Sequence, residues 1–391
     1  MATYKTFIIP APGEPLELRT RRLQDAVDSL PAEGVLVKIH AAGVCHTDLH
    51  LWHGYYQTGK KKDQVVRFAD RGLVYPIVPG HEIAGSVYHL GVQAQRHGDL
   101  KQGDRALVYP WIGCDECYLC RGGDPGLCSK TRELGFVKDG GYSEFVVVPH
   151  YRYIFRTPDN ITDSLAAMLP CSAITAFSAI KKVLPTMRRV REWGVELVVV
   201  VIGLGGLGQW SLNLLNHCLN ADSDTHHMKV IGVEVNREKI DHALKNDLID
   251  EGFHINLVGE QAPMAVTQEA ERFLAQFDGN KVHVVLDFAN TTETFQFSIS
   301  ILHQAGTLVL IGLHGGLGEV KLPQAVLSMY SIIGSYTGSL SELAELIGVV
   351  SKHPLPSPPP VQAYKLEEAN KALNDLDKGL ILGRAVLKPE H

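Results

Sequence analysis

Hydrophobic and polar positions change their rhythm once along this chain. From Gly34 to about Tyr153, short β-rich runs such as Val35 to Ile39 and Tyr142 to Val148 are separated by Gly and Pro turn signals. That pattern predicts a mainly antiparallel β unit. From about Ala176, apolar strands alternate with helical stretches, the signature of a parallel sheet with crossover helices. Strands are predicted at Leu197 to Ile202, Val230 to Val235, Val282 to Asp287 and Thr307 to Gly312, and helices at Leu207 to Asn216, Arg237 to Asn246 and Val266 to Phe277. Five prolines between Pro354 and Pro360 make that stretch an extended loop. A helical segment, Leu366 to Asp375, and a strand-like run, Gly383 to Leu387, follow it. The expected fold is α/β: a doubly wound parallel-sheet domain, residues 177–334, inserted between the two parts, 1–176 and 335–391, of a β-rich domain.

Composition narrows the function classes. With 391 residues, 45% hydrophobic and 20% charged, the chain has the make-up of a globular protein of two domains. A net charge of -6 without a basic stripe argues against a nucleic-acid partner. Met1 to Pro10 lacks the basic and apolar blocks of a secretory signal, and the apolar run from Val195 to Gly208 is too short and too glycine-interrupted to span a bilayer. The expectation is a cytoplasmic protein with no membrane partner. Seven cysteines, four of them between Cys114 and Cys128, read as metal ligands rather than a disulfide framework.

Three motifs carry chemistry. Cys114, Cys117, Cys120 and Cys128 are spaced CxxCxxCx7C, so one tight loop can close a tetrahedral zinc shell of the structural kind. A second, scattered set comprises Cys45, then His81 with Glu82 in Gly80-His-Glu82, then Cys171. Two cysteines and one histidine leave a fourth position open, as a catalytic zinc requires. Singly, each would read as a packing cysteine or an interior histidine. The third motif is Gly203, Gly205 and Gly208, directly after the strand Val198 to Ile202 and opening an apolar helix, which fits a dinucleotide pyrophosphate at a helix N-terminus. Glu234, ending the next strand, can accept hydrogen bonds from an adenosine ribose and repel a 2'-phosphate, favouring NAD over NADP. It lies 26 positions past Gly208, a long spacing attributed to the polar stretch Asn220 to His227.

These motifs together resemble the zinc-containing medium-chain alcohol dehydrogenases over nearly the whole chain. Gly43-Val-Cys-His-Thr-Asp-Leu-His50 with Trp52-His-Gly54 is similar to the catalytic loop of yeast-type enzymes. Pro79-Gly-His-Glu-Ile-Ala-Gly85 and Val148-Pro-His-Tyr151 are similar to archaeal tetrameric members. The resemblance implies a GroES-like catalytic domain beside the Rossmann domain. It implies that Cys45, His81 and Cys171 hold the catalytic zinc, with Glu82 a carboxylate that reaches the metal transiently and Asp48 orienting the ligand histidine. Thr47 and His50 match the proton relay, His46 and Arg384 the pyrophosphate contacts, and Lys239 a position beside the adenosine ribose. Thr175, Leu207, Ile311, Leu313 and Thr337 match positions lining the nicotinamide. Two zinc ions per chain, NAD, and reversible oxidation of primary or secondary alcohols to aldehydes or ketones follow from the same likeness, as does a homo-oligomer, tetramer over dimer. A polyol dehydrogenase shares the fold, but there Gly follows the first cysteine and Glu is the third ligand, where this chain has His46 and Cys171. Non-catalytic relatives lack the zinc ligands present here. The departure from the family pattern is Tyr55 to Tyr75, an unusually long linker containing Lys60, Lys61 and Lys62. It is expected as a loop near the substrate entrance, with the lysines a solvated face. Cys218 is left over and is expected to pack inside a helix.

Overall fold

The computed structural model describes residues 1–59, 64–215, 228–257, 262–277, 282–355 and 357–390. Two sheets organise it. The six-stranded sheet runs Glu251–His254, Met228–Glu234, Leu197–Ile202, Val282–Asp287, Leu302–Leu310 and Ser331–Gly334, every neighbouring pair parallel. Taken in chain order this is 3-2-1-4-5-6, the doubly wound Rossmann arrangement. Leu197–Ile202 is buried along its whole length. Leu197, Val199 and Val201 face one hydrophobic core while Val198, Val200 and Ile202 face the other. Burial on both faces explains why the strand reads as an unbroken apolar run.

The second sheet is built from both ends of the chain. Its order is Val361–Lys365, Arg384–Lys388, Val35–Val44, Glu82–Leu90, Arg105–Val108 and Ile154–Arg156, with Phe145–Val148 also paired to Val35–Val44. The first pair is parallel and the others antiparallel. Its register does chemical work, setting Gly43 opposite Glu82 and Ala385 opposite Val44. Three separate segments thereby deliver Cys45, His81 with Glu82, and Arg384 to one end of the sheet.

A single helical run, Asp163–Glu192, joins the two sheets. Its first turns, Asp163–Met168, pack on Val35–Val44 and Glu82–Leu90, and Ile174–Glu192 packs on Val282–Asp287 and Leu302–Leu310. The run is long and apolar enough to cross a membrane, yet 89% of its most apolar window is buried inside the protein. Between its two parts, Leu169–Ala173 widens into a π turn. Such bulges recur at functional sites, and this one carries Cys171. The expected division at residues 176 and 177 falls inside this run.

The long linker is more ordered than a loop. Tyr55–Gln57 pairs antiparallel with Val65–Arg67, and a 3-10 turn, Ala69–Arg71, follows. The β-rich residues Tyr55, Tyr56, Val65 and Val66 favour such a ribbon. Lys60, Lys61, Lys62 and Cys218, with the Asn220 to His227 stretch, lie outside the described residues.

Candidate metal centres and cofactor cleft

In the cysteine-rich loop the Sγ atoms of Cys114, Cys117, Cys120 and Cys128 all lie within 4.8 Å of one another. Backbone N–H groups point at them: Cys120 N donates to Cys117 Sγ at 3.5 Å, while Cys114 N and Lys130 N donate to Cys128 Sγ at 3.4 and 3.3 Å. The N–H groups of Glu116 and Cys117 pull the Cys114 thiol down to about 6. Gly113 is required here, because a Cβ would collide with Cys120 Sγ and come within 2.9 Å of Cys128 Cβ. Arg132 fastens the loop by donating to the Gly113 carbonyl at 2.8 and 2.6 Å and to Asp115 at 2.9 Å. Four thiols converging on one point, with amides ready to stabilise thiolates, fit a closed tetrahedral cation.

The second cluster, Cys45, His81, Glu82 and Cys171, is wholly buried, and its ligand atoms also lie within 4.8 Å of one another. Asp48 orders it. Its carboxylate accepts from Cys45 N at 2.9 Å, Gly80 N at 3.2 Å and the Tyr142 hydroxyl at 3.3 Å, and faces His81 Nδ1 at 3.2 Å. An Nδ1–H donated to Asp48 aims Nε2 into the cluster, 3.2 Å from Cys171 Sγ. Burial works against a charged His81, but Asp48 and Cys45 together outweigh it and the pKa stands well above the ordinary imidazole value, so a bound cation would take the place of the Nε2 proton. The hydrogen bond with Cys171 takes Cys45 well below the thiol range, and the same bond pushes Cys171 well above it. Glu82 lies in ion-pair contact with Arg384, and among the described residues neither of its oxygens has a hydrogen-bond partner. Gly43 makes room for that carboxylate, since a Cβ there would overlap it. Two thiols, an imidazole nitrogen and a buried carboxylate form a donor set for one divalent cation.

The glycine turn lies next to this cluster. Gly203 adopts φ +86°, Gly208 leaves no room for a Cβ against the Gly203 carbonyl, and Gly205 faces open space. Gly206 lies beneath Arg384, whose Cδ a Cβ would strike. Arg384 therefore touches both the glycine turn and Glu82. Glu234 Oε2 accepts from Leu204 N at 2.8 Å, and Oε1 accepts from Val235 N at 2.8 Å and Asn236 N at 3.2 Å. It ties the turn to the strand end and still has lone pairs for ribose hydroxyls. Lys239 follows in the first turn of Arg237–Lys245, the helix that Asn236 caps. Ile311, Thr175 and Thr337 are buried, Leu207 is half-buried and Leu313 is half exposed. The Thr175 hydroxyl donates to Cys171 O at 2.7 Å.

Thr47 and His50 lie on the short helix His46–His53 that Cys45 starts, and both are half-buried. Burial lowers the pKa of His50. His46 keeps an exposed surface, and desolvation by the protein around it takes its pKa down to about 4. Three aromatic residues and a fourth histidine join the site without a motif to announce them. The Trp111 indole stands 5.3 Å from the His81 ring, donates to Pro170 O at 2.8 Å, and meets the Tyr336 ring edge-on at 5.7 Å. Tyr142 braces Asp48, and the His314 ring lies 5.9 Å from that of His46.

Comparison with known proteins matches two parts of the chain. Residues 31–159 match the alcohol dehydrogenase GroES-like domain, and residues 223–352 match the zinc-binding dehydrogenase domain. The chain is 32% identical to an NAD-dependent alcohol dehydrogenase of Sulfolobus acidocaldarius, over 98% of this chain and 99% of that protein. It is 31% identical to one from Saccharolobus solfataricus, over 96% and 97% respectively. Among solved structures, the alcohol dehydrogenase of Aeropyrum pernix superimposes with a TM-score of 0.78 at 27% identity, covering 98% of this chain and all of that one.

Proposed function

The chain belongs to the zinc-containing medium-chain alcohol dehydrogenase family, and from that premise we propose that it oxidises primary or secondary alcohols to aldehydes or ketones, reversibly, with NAD. The observation that carries this reading is Arg384, whose side chain touches both Gly206 of the dinucleotide turn and Glu82 of the Cys45, His81, Cys171 cluster. One arginine thus joins the place for a cofactor's phosphates to the place for a reacting oxygen. Zinc in the cluster would supply Lewis-acid polarisation of the alcohol oxygen, and NAD would accept the hydride.

The protein's own groups do the rest. Cys45, His81 and Cys171 are the catalytic zinc ligands in this reading, Glu82 stands by as an alternative donor, and the four-cysteine loop holds the structural zinc. Asp48 fixes the His81 tautomer. His46 and Arg384 meet the pyrophosphate at the helix N-terminus, Glu234 and Lys239 the adenosine ribose, and Thr175, Leu207, Ile311, Leu313 and Thr337 the nicotinamide. The Thr47 hydroxyl accepts the alcohol proton while giving up its own toward His50, which releases it to solvent. With its pKa held low by burial, His50 is neutral at pH 7 and free to accept that proton.

The catalytic domain is assigned to residues 1–176 and 335–391 and the cofactor domain to 177–334. Homo-oligomerisation is part of the proposal. Ser331–Gly334 is an edge strand, and beside it Leu322–Ser328 has no buried residue, leaving Leu322, Val326, Leu327 and Met329 at 70% exposure or more. An uncovered edge with an apolar flank favours a second copy paired about a two-fold axis, the first step to a tetramer. A cytoplasmic location completes the reading. The deciding experiment is an activity panel of primary, secondary, benzylic and polyol substrates, each with NAD and with NADP. Turnover of simple alcohols with NAD supports the reading, and turnover confined to polyols contradicts it.

A further inference from the structure

The ribbon formed by Tyr55–Gln57 and Val65–Arg67 does not stand free of the cofactor domain. A Cβ built on Gly315 would collide with the Gln57 carbonyl oxygen, lying 2.8 Å from its carbon and 3.0 Å from Gln57 Cβ. Gly315 has φ +90°, and its missing side chain is what lets the Gln57 backbone rest there.

Both partners in this contact are anchored. On the ribbon side, Phe68 N donates to Gly54 O at 3.0 Å and Thr58 N to Gln64 O at 2.8 Å. The buried Phe68 ring lies 5.7 Å from Tyr56 and 5.1 Å from Phe136. On the other side, Gly315 bridges to Thr291, Leu317 N donates to Thr292 Oγ1 at 2.9 Å, and His314 Nδ1 meets Ala289 O at 3.0 Å. A Cβ on Gly316 would come within 2.6 Å of Thr292 N, so this loop has no slack against Ala289–Thr292. The same loop carries Leu313, assigned to the nicotinamide end, and sets His314 beside His46.

We propose that Gly315 is a seat for the ribbon, and that this contact couples the ribbon to the nicotinamide-side loop, so that cofactor leaves only after the ribbon lifts. The coupling rests on the NAD reading above; the seat itself does not. It makes Gly315 a positioning residue for cofactor retention, acting through the backbone of Gln57 rather than through a side chain of its own.

A double-mutant cycle separates this from backbone strain. Gly315→Asn adds a Cβ at a residue type that tolerates a left-handed backbone better than most. The ribbon can be removed by replacing Tyr56 to Val66 with Asn-Gly between the paired residues Tyr55 and Arg67. NADH dissociation is measured by stopped-flow fluorescence on zinc-loaded protein. Gly315→Asn and the ribbon deletion should each speed dissociation by about tenfold, and the combination should be no faster than the deletion alone. An unchanged rate on deletion, or an equal effect of Gly315→Asn with and without the ribbon, would overturn the coupling. Hydrogen exchange tests the seat without cofactor: amides of Tyr55–Gln57 and Val65–Arg67 should exchange faster in Gly315→Asn than in the parent chain. Unchanged exchange would remove the seat. A parent chain that binds no NADH would instead count against the cofactor reading.

Discussion

Thr47 and His50 divide one proton path between them, and single substitutions resolve the division. Thr47→Ala should lower kcat/KM by about a hundredfold at every pH, because no other hydroxyl is assigned to the first transfer. His50→Gln should cost about tenfold and depend on pH. Burial lowers the His50 pKa, so the neutral, proton-accepting form persists below the usual value of about 6.5. The deficit should therefore be present at neutral pH, fade as rising hydroxide replaces the lost base, and vanish in acid once His50 in the parent chain is protonated. A flat deficit that added imidazole does not relieve would leave His50 a bracing residue. Glu234→Ala has two expected effects. It should narrow the NAD over NADP ratio, and it should loosen the glycine turn by removing the acceptor for Leu204 N. Equal kcat/KM with both cofactors in the parent chain would contradict the ribose assignment. At this scale the two clusters that the structure brings together were readable, the four cysteines from their spacing and the Cys45, His81, Cys171 set from its order and surrounding motifs. Trp111, Tyr142, Tyr336 and His314 were not, since nothing local marks a ring that becomes functional only through what it packs against.

Elements behave differently from residues, as the two metal loops illustrate. Cys171 lies on a π turn inside a long buried helical run, so Cys171→Ala should abolish turnover while leaving the melting temperature nearly unchanged. Cys117 is in a short lobe with little regular structure of its own, and Cys117→Ala should lower the melting temperature markedly, because a structural zinc contributes its binding energy to folding. Thermal unfolding of both variants beside their zinc content tests the contrast. The Tyr55–Arg67 ribbon should also bear on substrate choice, and its deletion is expected to shift relative rates across an alcohol panel. Unchanged relative rates in a folded, zinc-loaded deletion would reduce it to a surface ornament. Strands buried on both faces were legible to the residue, Leu197–Ile202 because nothing polar interrupts it and Val282–Asp287 because its apolar run carries only His283 before Asp287 closes it. The π turn was not, since its sequence differs from an ordinary helix only by Pro170. The ribbon read as a loop because its strands are three residues each, too short to show alternation.

The molecule as a whole is assembled by register. Arg384 comes from the far end of the chain and reaches Glu82 only because Ala385 pairs with Val44 while Gly43 pairs with Glu82. No local pattern shows that meeting, which is why the resemblance and not the periodicity placed Arg384 at the site. The exposed Ser331–Gly334 edge and its apolar flank make assembly testable at the same scale. Leu327→Glu should lower the molar mass measured by light scattering by at least one step, and an unchanged mass would exclude this face from the interface. The central claim, zinc-dependent reduction of NAD by a simple alcohol, is tested most directly by titrating zinc back into chelated protein while following NADH formation. Activity should be absent until the Cys45, His81, Cys171 cluster fills and should then rise with it, reaching its maximum at two zinc ions per chain. Full activity with that cluster empty, or none with any alcohol at two zinc ions per chain, would contradict the account.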